Sequence, residues 1–339
     1  MAKEVCQTEF KPSELSFGGG ALSGAYGEID ARWPVEACRE ALSSGINMFD
    51  TSPYYGRSEY ILGDALEELK EEFPRNTYYL ETKIGRYGYY TKDCDHSKQR
   101  TIESVKESLR RLKTDYIDLV LCHDVEFVDL DDVVGENGSL EALFELKKEG
   151  IIKYVGCSGY PLPVLLKIAK YQKEKNQPLD IILSYSHYNL QNTSLSEYAH
   201  AFREEYGVKY LLNASPLNMA LFRESGPPDW HPAHQELRQA AQQCCDLAKA
   251  NGFNIASLAS RFAFNGRKQF NLDSTVIGLA TKEEVKLAMD AWRLVKRREN
   301  GEEKVPENEV KVMDQIFSIL APYKNYSWQS PSNKELGLA

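Results

Sequence analysis

Apolar residues recur along the chain in two alternating textures. Short runs are nearly continuous in apolar residues, as in Ile117-Asp118-Leu119-Val120-Leu121-Cys122, and longer stretches between them carry apolar residues every third or fourth position. The first texture is that of strands buried on both faces, as in a parallel sheet. It predicts strands at 15–19, 46–50, 78–84, 117–123, 154–158, 181–186, 210–215 and 275–279. The second predicts amphipathic helices at 35–43, 58–69, 101–112, 140–148, 162–171, 196–205, 236–250 and 282–295. Pro34 opens the first helix and Gly45 closes it, and Ile102, Val105, Leu109 and Leu112 form one face of the third. Repeated strand–helix units imply right-handed parallel crossovers. Eight of them predict an α/β fold, a single-domain (β/α)8 TIM barrel with its core at about 15–320.

Three regions break the alternation. Residues 85–100 form a polar, Tyr-rich insertion after the third strand. Residues 223–235 include Gly226-Pro227-Pro228-Asp229-Trp230-His231-Pro232, a stiff loop after the seventh. The tail from Pro322 is polar but carries Tyr323, Tyr326 and Trp328. Loops that follow barrel strands build the active-site mouth, so the first two insertions are candidates for substrate contact.

Composition narrows the class. The chain is 42% hydrophobic and 27% charged, as expected of a soluble globular protein, and its net charge of -9 argues against nonspecific nucleic-acid binding. Seven scattered cysteines without a CxxC pair suit a reducing compartment. No run approaches the roughly eighteen apolar residues of a membrane span. Residues 1–10 carry no apolar leader segment, so the expected location is cytoplasmic. The tract Asp93-Cys94-Asp95-His96 offers metal ligands, but no second group stands at site spacing, and no metal is expected.

The candidate chemistry sits at strand ends, which converge on one pocket in a barrel. Asp50, Lys83 and His123 each end a predicted strand, and Tyr55 follows the second. Each alone has an ordinary explanation: a turn-capping Asp, a packing Tyr, a solvated Lys, a structural His. Together they describe an acid/base tyrosine. A Lys ammonium lowers a phenol's pKa, Asp50 would orient Lys83, and His123 would hydrogen-bond a substrate oxygen. No residue of this set accepts a hydride, which implies a nicotinamide cofactor.

The run Asp50-Thr51-Ser52-x-x-Tyr55-Gly56-x-Ser58-Glu59-x-x-Leu62-Gly63 resembles the signature of the aldo-keto reductase superfamily. Thr82-Lys83, the run from Asp115 to His123, Val155-Gly156-Cys157-Ser158 and Ser215-Pro216-Leu217 match further elements of that family in order. Finer likeness, in Leu121-Cys122-His123-Asp124-Val125-Glu126-Phe127 and the Trp230-His231-Pro232 loop, points to its aldose 1-dehydrogenase branch. The resemblance implies a barrel that binds NAD(P) without a dinucleotide fingerprint, and Gly18-Gly19-Gly20 is not one. It assigns Tyr55 as acid/base, Lys83 and Asp50 as its tuners and His123 as the orienting residue. It assigns cofactor contacts to Gly19, Gly20, Ser158, Tyr185, Ser215, Leu217, Ile277, Gly278, Thr281 and Glu284.

Departures from the family pattern fall on cofactor positions. Gly159 stands where many members have Asn, Tyr185 where many have Gln, and Ala214 where many have an aromatic. NADP-preferring relatives carry Arg near Glu284; a carboxylate there repels a 2′-phosphate, so NAD is expected, with Lys282 keeping NADP open. The implied reaction is oxidation of the C1 hydroxyl of a cyclic aldose, D-arabinose or a similar sugar, to its lactone, of the kind used in ascorbate-type biosynthesis. Tyr26, Asp124, Trp230 and His231 are candidate partners for sugar hydroxyls. The alternatives are an NADPH-dependent aldehyde or pyridoxal reductase and a non-catalytic, cofactor-sensing barrel subunit. Sequence leaves the preferred sugar and the oligomeric state open.

Overall fold

The computed structural model describes residues 10–338, so Cys6 and nearly all of the segment read as lacking a leader lie outside the described residues. Eight parallel strands close into one barrel in chain order: β1 (Leu15–Gly18), β2 (Met48–Asp50), β3 (Tyr79–Ile84), β4 (Ile117–His123), β5 (Ile152–Gly159), β6 (Ile181–Tyr185), β7 (Tyr210–Ala214) and β8 (Ser274–Gly278). Every predicted strand is present, and β8 pairs with β1 over Leu15–Gly18 to close the ring. Strand alternation sends one set of side chains inward, including Met48, Tyr79, Leu119, Leu121, Ile181, Leu183 and Leu212. The other set, such as Phe17, Phe49, Val120, Cys122, Val155 and Cys157, packs outward against the helices.

The helices α1 (Trp33–Ser44), α2 (Ser58–Glu68), α3 (Lys98–Leu112), α4 (Leu130–Val134), α5 (Ser139–Lys148), α6 (Leu162–Glu174), α7 (Leu195–His200), α8 (Gln235–Ala250), α9 (Ile255–Phe270), α10 (Lys282–Glu299) and α11 (Glu307–Leu320) surround the barrel. Their ends follow local chemistry. Gly45 closes α1 at φ 96°, a left-handed conformation that costs glycine nothing. Ser97 caps α3 by accepting the Arg100 N–H, and Thr281 with Glu284 forms a capping box on α10. Gly63 lets α2 close on α3, because a Cβ there would sit 2.1 Å from the Arg111 carbonyl oxygen.

Two long helices differ from the sequence expectation. The alternation assigned residues 236–250 to the connection before β8, but α9 makes that connection and α8 is an added helix that packs against α11. The end of the predicted helix at 196–205 winds as a π-helix from Ala201 to Glu205. Among the described residues all six cysteines are free, and no helix is long and apolar enough to cross a membrane.

The lower end of the barrel is closed by aromatic rings. Phe10 lies 4.7 Å from Tyr79, 5.1 Å from Tyr154 and 4.7 Å from Tyr210, centroid to centroid, in mostly edge-on contacts. The upper end carries the polar strand ends and the long loops.

Candidate active site

The loop after β2 is fixed by its own motif. Ser58 Oγ donates to the Gly19 carbonyl at 2.8 Å and lies 2.8 Å from Thr51 Oγ1. Glu59, 2% exposed, accepts from Thr82 Oγ1 at 2.6 Å and from Arg111 at 3.0 Å. These ties pin the Asp50-to-Glu59 turn to β1, β3 and α3. Three residues of the sequence run, Thr51, Ser58 and Glu59, therefore hold the turn in place, leaving Asp50 and Tyr55 for chemistry.

Asp50 and Lys83 end adjacent strands on the inward face and form a salt bridge, 4% and 1% exposed. Lys83 Nζ also donates to the Thr51 carbonyl at 3.0 Å and stands 4.8 Å from the centroid of the Tyr55 ring. The His123 ring meets Tyr55 at 5.7 Å and 90°. The structure thus brings all four predicted residues to one mouth.

One expectation about them is corrected. Tyr55 was expected to be more acidic than a free phenol. Burial instead pushes it well above its ordinary value, and the nearby Asp50 carboxylate adds to that rise. Burial is the main cause, and the Asp50–Lys83 bridge leaves it unopposed, because the ammonium that would favour a phenolate is already neutralised by a carboxylate.

His123 is neutral. Burial pulls its imidazole down to about 3. Its Nδ1 lies 3.1 Å from Ser52 Oγ, which itself accepts the Tyr54 N–H at 3.1 Å. Asp124 Oδ1 lies 3.6 Å from Nε2. A carboxylate on the Nε2 side and a hydroxyl hydrogen free to point at Nδ1 assign the ring proton to Nε2.

Arg86 was missed by the sequence reading. It lies three residues past Lys83, 5% exposed, with its guanidinium 4.0 Å from the Tyr54 ring centroid and 4.0 Å from that of Phe127. It donates to Asp124 at 2.5 Å and to Glu335 at 3.0 Å. The signal for it was an arginine inside a Tyr-rich insertion directly after a barrel strand. Glu335 belongs to the tail, which crosses the upper end: Trp328 stacks on Tyr160 at 5.2 Å, Ser330 donates to Glu126 at 2.9 Å, and Thr91 N–H donates to the Glu335 carbonyl at 3.0 Å.

The four candidate substrate partners separate. Tyr26 and Trp230 meet edge to face at 5.4 Å, both about two-fifths exposed (37% and 45%), and Trp230 Nε1 donates to the Ala25 carbonyl at 3.2 Å. Tyr26 also hydrogen-bonds Tyr185. Asp124 stands beside His123 with one oxygen taken by Arg86. His231 is a correction: it is 3% exposed, with Nε2 donating to the Asn218 carbonyl and Nδ1 accepting the Ala233 N–H, so no nitrogen is left for a sugar.

The strand ends from β5 to β8 and β1 suit a dinucleotide. Ser158 is the last residue but one of β5, and Tyr185 ends β6. A side chain at Gly278 would meet only Ala21, and one at Gly20 only the Tyr55 ring, at ordinary contact distances, so both leave an open, flat approach. Ile277 is buried on the outward face of β8 with Phe17, and Leu217 packs with α8 and α11. Gly19 is filled in differently: a Cβ there would sit 2.6 Å from the Asp50 carbonyl oxygen, so this glycine is required by backbone packing. Ser215 Oγ accepts the Met219 N–H at 2.7 Å, which ties it to its own loop. The amino end of α10 begins at Thr281, and helix amino ends favour phosphate. Glu284 is corrected in part: its Oε2 accepts the Ala280 and Thr281 N–H groups at 2.7 and 3.1 Å, so it is a helix cap rather than a free ribose partner. Its negative charge nevertheless stands at that helix end.

The closed eight-stranded barrel gathers a buried Lys–Asp pair, a tyrosine and a neutral histidine at the carboxyl ends of β2 to β4. The Aldo/keto reductase family pattern matches residues 14–300, and the chain belongs to that family, whose members use nicotinamide cofactors. It is 36% identical to D-arabinose 1-dehydrogenase of Saccharomyces cerevisiae over 94% of this chain and 93% of that one. It is 35% identical to L-galactose dehydrogenase of Arabidopsis thaliana over 95% of each. In fold it is similar to an aldo-keto reductase of Bacillus halodurans, with a TM-score of 0.66, 23% identity and coverage of 96% and 97%.

Proposed function

We propose that the protein oxidises the C1 hydroxyl of a cyclic aldose, D-arabinose or a sugar of like stereochemistry near C1, to the lactone, with NAD as the preferred cofactor. The observation that carries this reading is the convergence of Tyr55, Lys83, Asp50 and His123 at one mouth, in a chain whose full-length relatives include two aldose dehydrogenases. The bound nicotinamide supplies the hydride acceptor. Ser158, Tyr185, Gly278, Gly20 and the amino end of α10 would hold it.

The chain's own residues handle the proton. His123 donates its Nε2–H to the sugar oxygen at C1 and fixes the angle of that bond, because Ser52 holds the ring by its other nitrogen. Tyr55 Oη takes the hydroxyl proton as carbonyl character develops at C1. The Asp50–Lys83 pair beside the ring stabilises the phenolate less than a lone ammonium would, which places the working range of Tyr55 toward higher pH. Tyr26, Trp230 and the free oxygen of Asp124 are the groups left to meet the other hydroxyls.

NAD is favoured because a 2′-phosphate at the amino end of α10 would meet the Glu284 carboxylate. A panel of D-arabinose, L-galactose, L-fucose and L-xylose with NAD and NADP, read by absorbance of the reduced cofactor, tests both halves. Turnover of at least one aldose with a higher kcat/KM for NAD is expected. Reduction of aldehydes with NADPH and no aldose oxidation would overturn the substrate reading, and a large NADP advantage would overturn the cofactor reading.

A further inference from the structure

Beneath the Asp50–Lys83 pair lies an acid that the reaction above does not use. Glu81 precedes Lys83 by two residues on β3, so strand alternation puts it on the same inward face, one layer deeper. Its register partners are Asp50 on β2 and Leu119 on β4. It is 0% exposed, no N–H or hydroxyl donor reaches either carboxyl oxygen, and its one side-chain hydrogen bond is to Asp50. The neighbouring inward residues of β2 to β4 other than Asp50, Lys83 and His123, namely Met48, Tyr79, Leu119 and Leu121, are uncharged.

A carboxylate buried without a donor is strongly disfavoured, and the group answers by keeping its proton. Burial holds Glu81 well above the usual carboxylate range, the Asp50 carboxylate adds to this, and Lys83 opposes it. The charged groups that face it are thus Asp50 from β2 and Lys83 from its own strand; β4 presents none at this level. Asp50 is the acceptor across the register pair for the proton that Glu81 keeps. Glu81 also acts on Tyr55, whose phenol it pushes upward when ionised.

We propose that Glu81 is a positioning residue of the proton-transfer unit: as a neutral acid it turns its O–H toward Asp50, weakens the hold of that carboxylate on Lys83, and so leaves more of the ammonium's field for Tyr55. The proposal rests on Tyr55 being the group that exchanges the proton. It accounts for a carboxyl group set among Met48, Tyr79, Leu119 and Leu121, which are apolar or aromatic. A space-filling role would be met by leucine.

Two variants separate the roles. Glu81→Gln keeps a neutral donor facing Asp50 and is expected to keep the position of the acid limb of kcat. Glu81→Leu removes the donor, so Asp50 draws Lys83 closer and the Tyr55 limb moves to higher pH. A shift of one pH unit gives about a tenfold lower kcat on that limb, recovered at higher pH, with KM unchanged. Identical limbs in the wild type and both variants, or a loss in Glu81→Leu that does not recover with pH, would overturn the proposal. A second measurement does not need turnover or a leucine variant that folds. Glu126 is also pushed up, to about 8, by burial, so infrared spectra are taken on a Glu126→Gln background. A protonated-carboxyl carbonyl band is expected at neutral pH and should vanish in Glu81→Gln. No such band would overturn the proposal even if aldoses are oxidised; a band without aldose turnover would leave Glu81 protonated and sink only the substrate reading.

Discussion

The two ends of the barrel are built from the same eight strands and differ in what the strands present. At the lower end Phe10 plugs the opening against Tyr79, Tyr154 and Tyr210. At the upper end the inward positions carry Glu81, Asp50, Lys83 and His123, and Tyr55 closes over them. Between the two ends the inward residues, among them Met48, Leu119, Leu121, Ile181, Leu183 and Leu212, are apolar. The consequence is that titratable groups above them are poorly solvated: His123 falls to about 3 and Tyr55 and Glu81 rise, each mainly through burial. The lower end therefore serves packing, and the upper end carries the chemistry.

The sharpest way to break this comparison is to remove one proton-carrying atom. Tyr55→Phe leaves the packing of the ring and deletes its hydroxyl, and kcat should fall by about 10² to 10⁴-fold with cofactor affinity and melting temperature unchanged. Steady-state kinetics beside fluorescence titration of the cofactor checks it; near-normal kcat would remove Tyr55 from the mechanism.

The next two substitutions set the ends against each other. Lys83→Met strands the Asp50 carboxylate in the barrel and should cost about 3–5 kcal/mol of stability along with activity. Phe10→Ala should cost a similar amount, about 3–5 kcal/mol, while kcat/KM at room temperature stays within about twofold of wild type. Urea unfolding and kinetics on both variants test the division of labour. A Phe10→Ala enzyme with the activity profile of Lys83→Met would show that the ends are not separable.

The fold and the centre of the site were both legible in the sequence. Continuous apolar runs gave every strand, because strands covered on both faces leave no polar alternation to hide them. Asp50, Lys83 and His123 stood out as charged letters where such runs end. Three things were harder to read. The helix at 255–270 has its own cap in Asn254, whose side chain accepts the Ser257 N–H, but an extra helix directly before it satisfied the strand–helix count. Arg86 and Glu335 meet across 249 residues of chain, which no local pattern encodes. His231 looked like a ligand because histidine in a loop is polar by type, and only the fold shows both its nitrogens committed to backbone. Glu81 was in plain view, a charge at period two before Lys83 in an otherwise apolar run.

The smallest expected effect concerns pH and again belongs to the upper end. His123, His187 and His231 are all buried neutral, pulled down chiefly by burial to about 3, 4 and 4. Their unfolded value is about 6.5, so below that pH the unfolded chain binds protons that the folded chain refuses, and stability falls as pH falls. Glu81 and Glu126 act in the opposite sense: both keep a proton when folded that the unfolded chain releases above about pH 4.5, so each loses stability as pH rises. Between about pH 4.5 and 6.5 the two sets therefore offset each other, and the total slope alone is uninformative. A difference is decisive. His231→Asn removes one refused proton, and the change in unfolding free energy from pH 6.5 to pH 5.5 should become less negative than in the wild type by about 1 kcal/mol. Parallel curves would mean that His231 already carries a proton in the fold, which its bond from the Ala233 N–H to Nδ1 forbids. The hydrogen-bond assignment at the foot of the Trp230 loop would then be wrong.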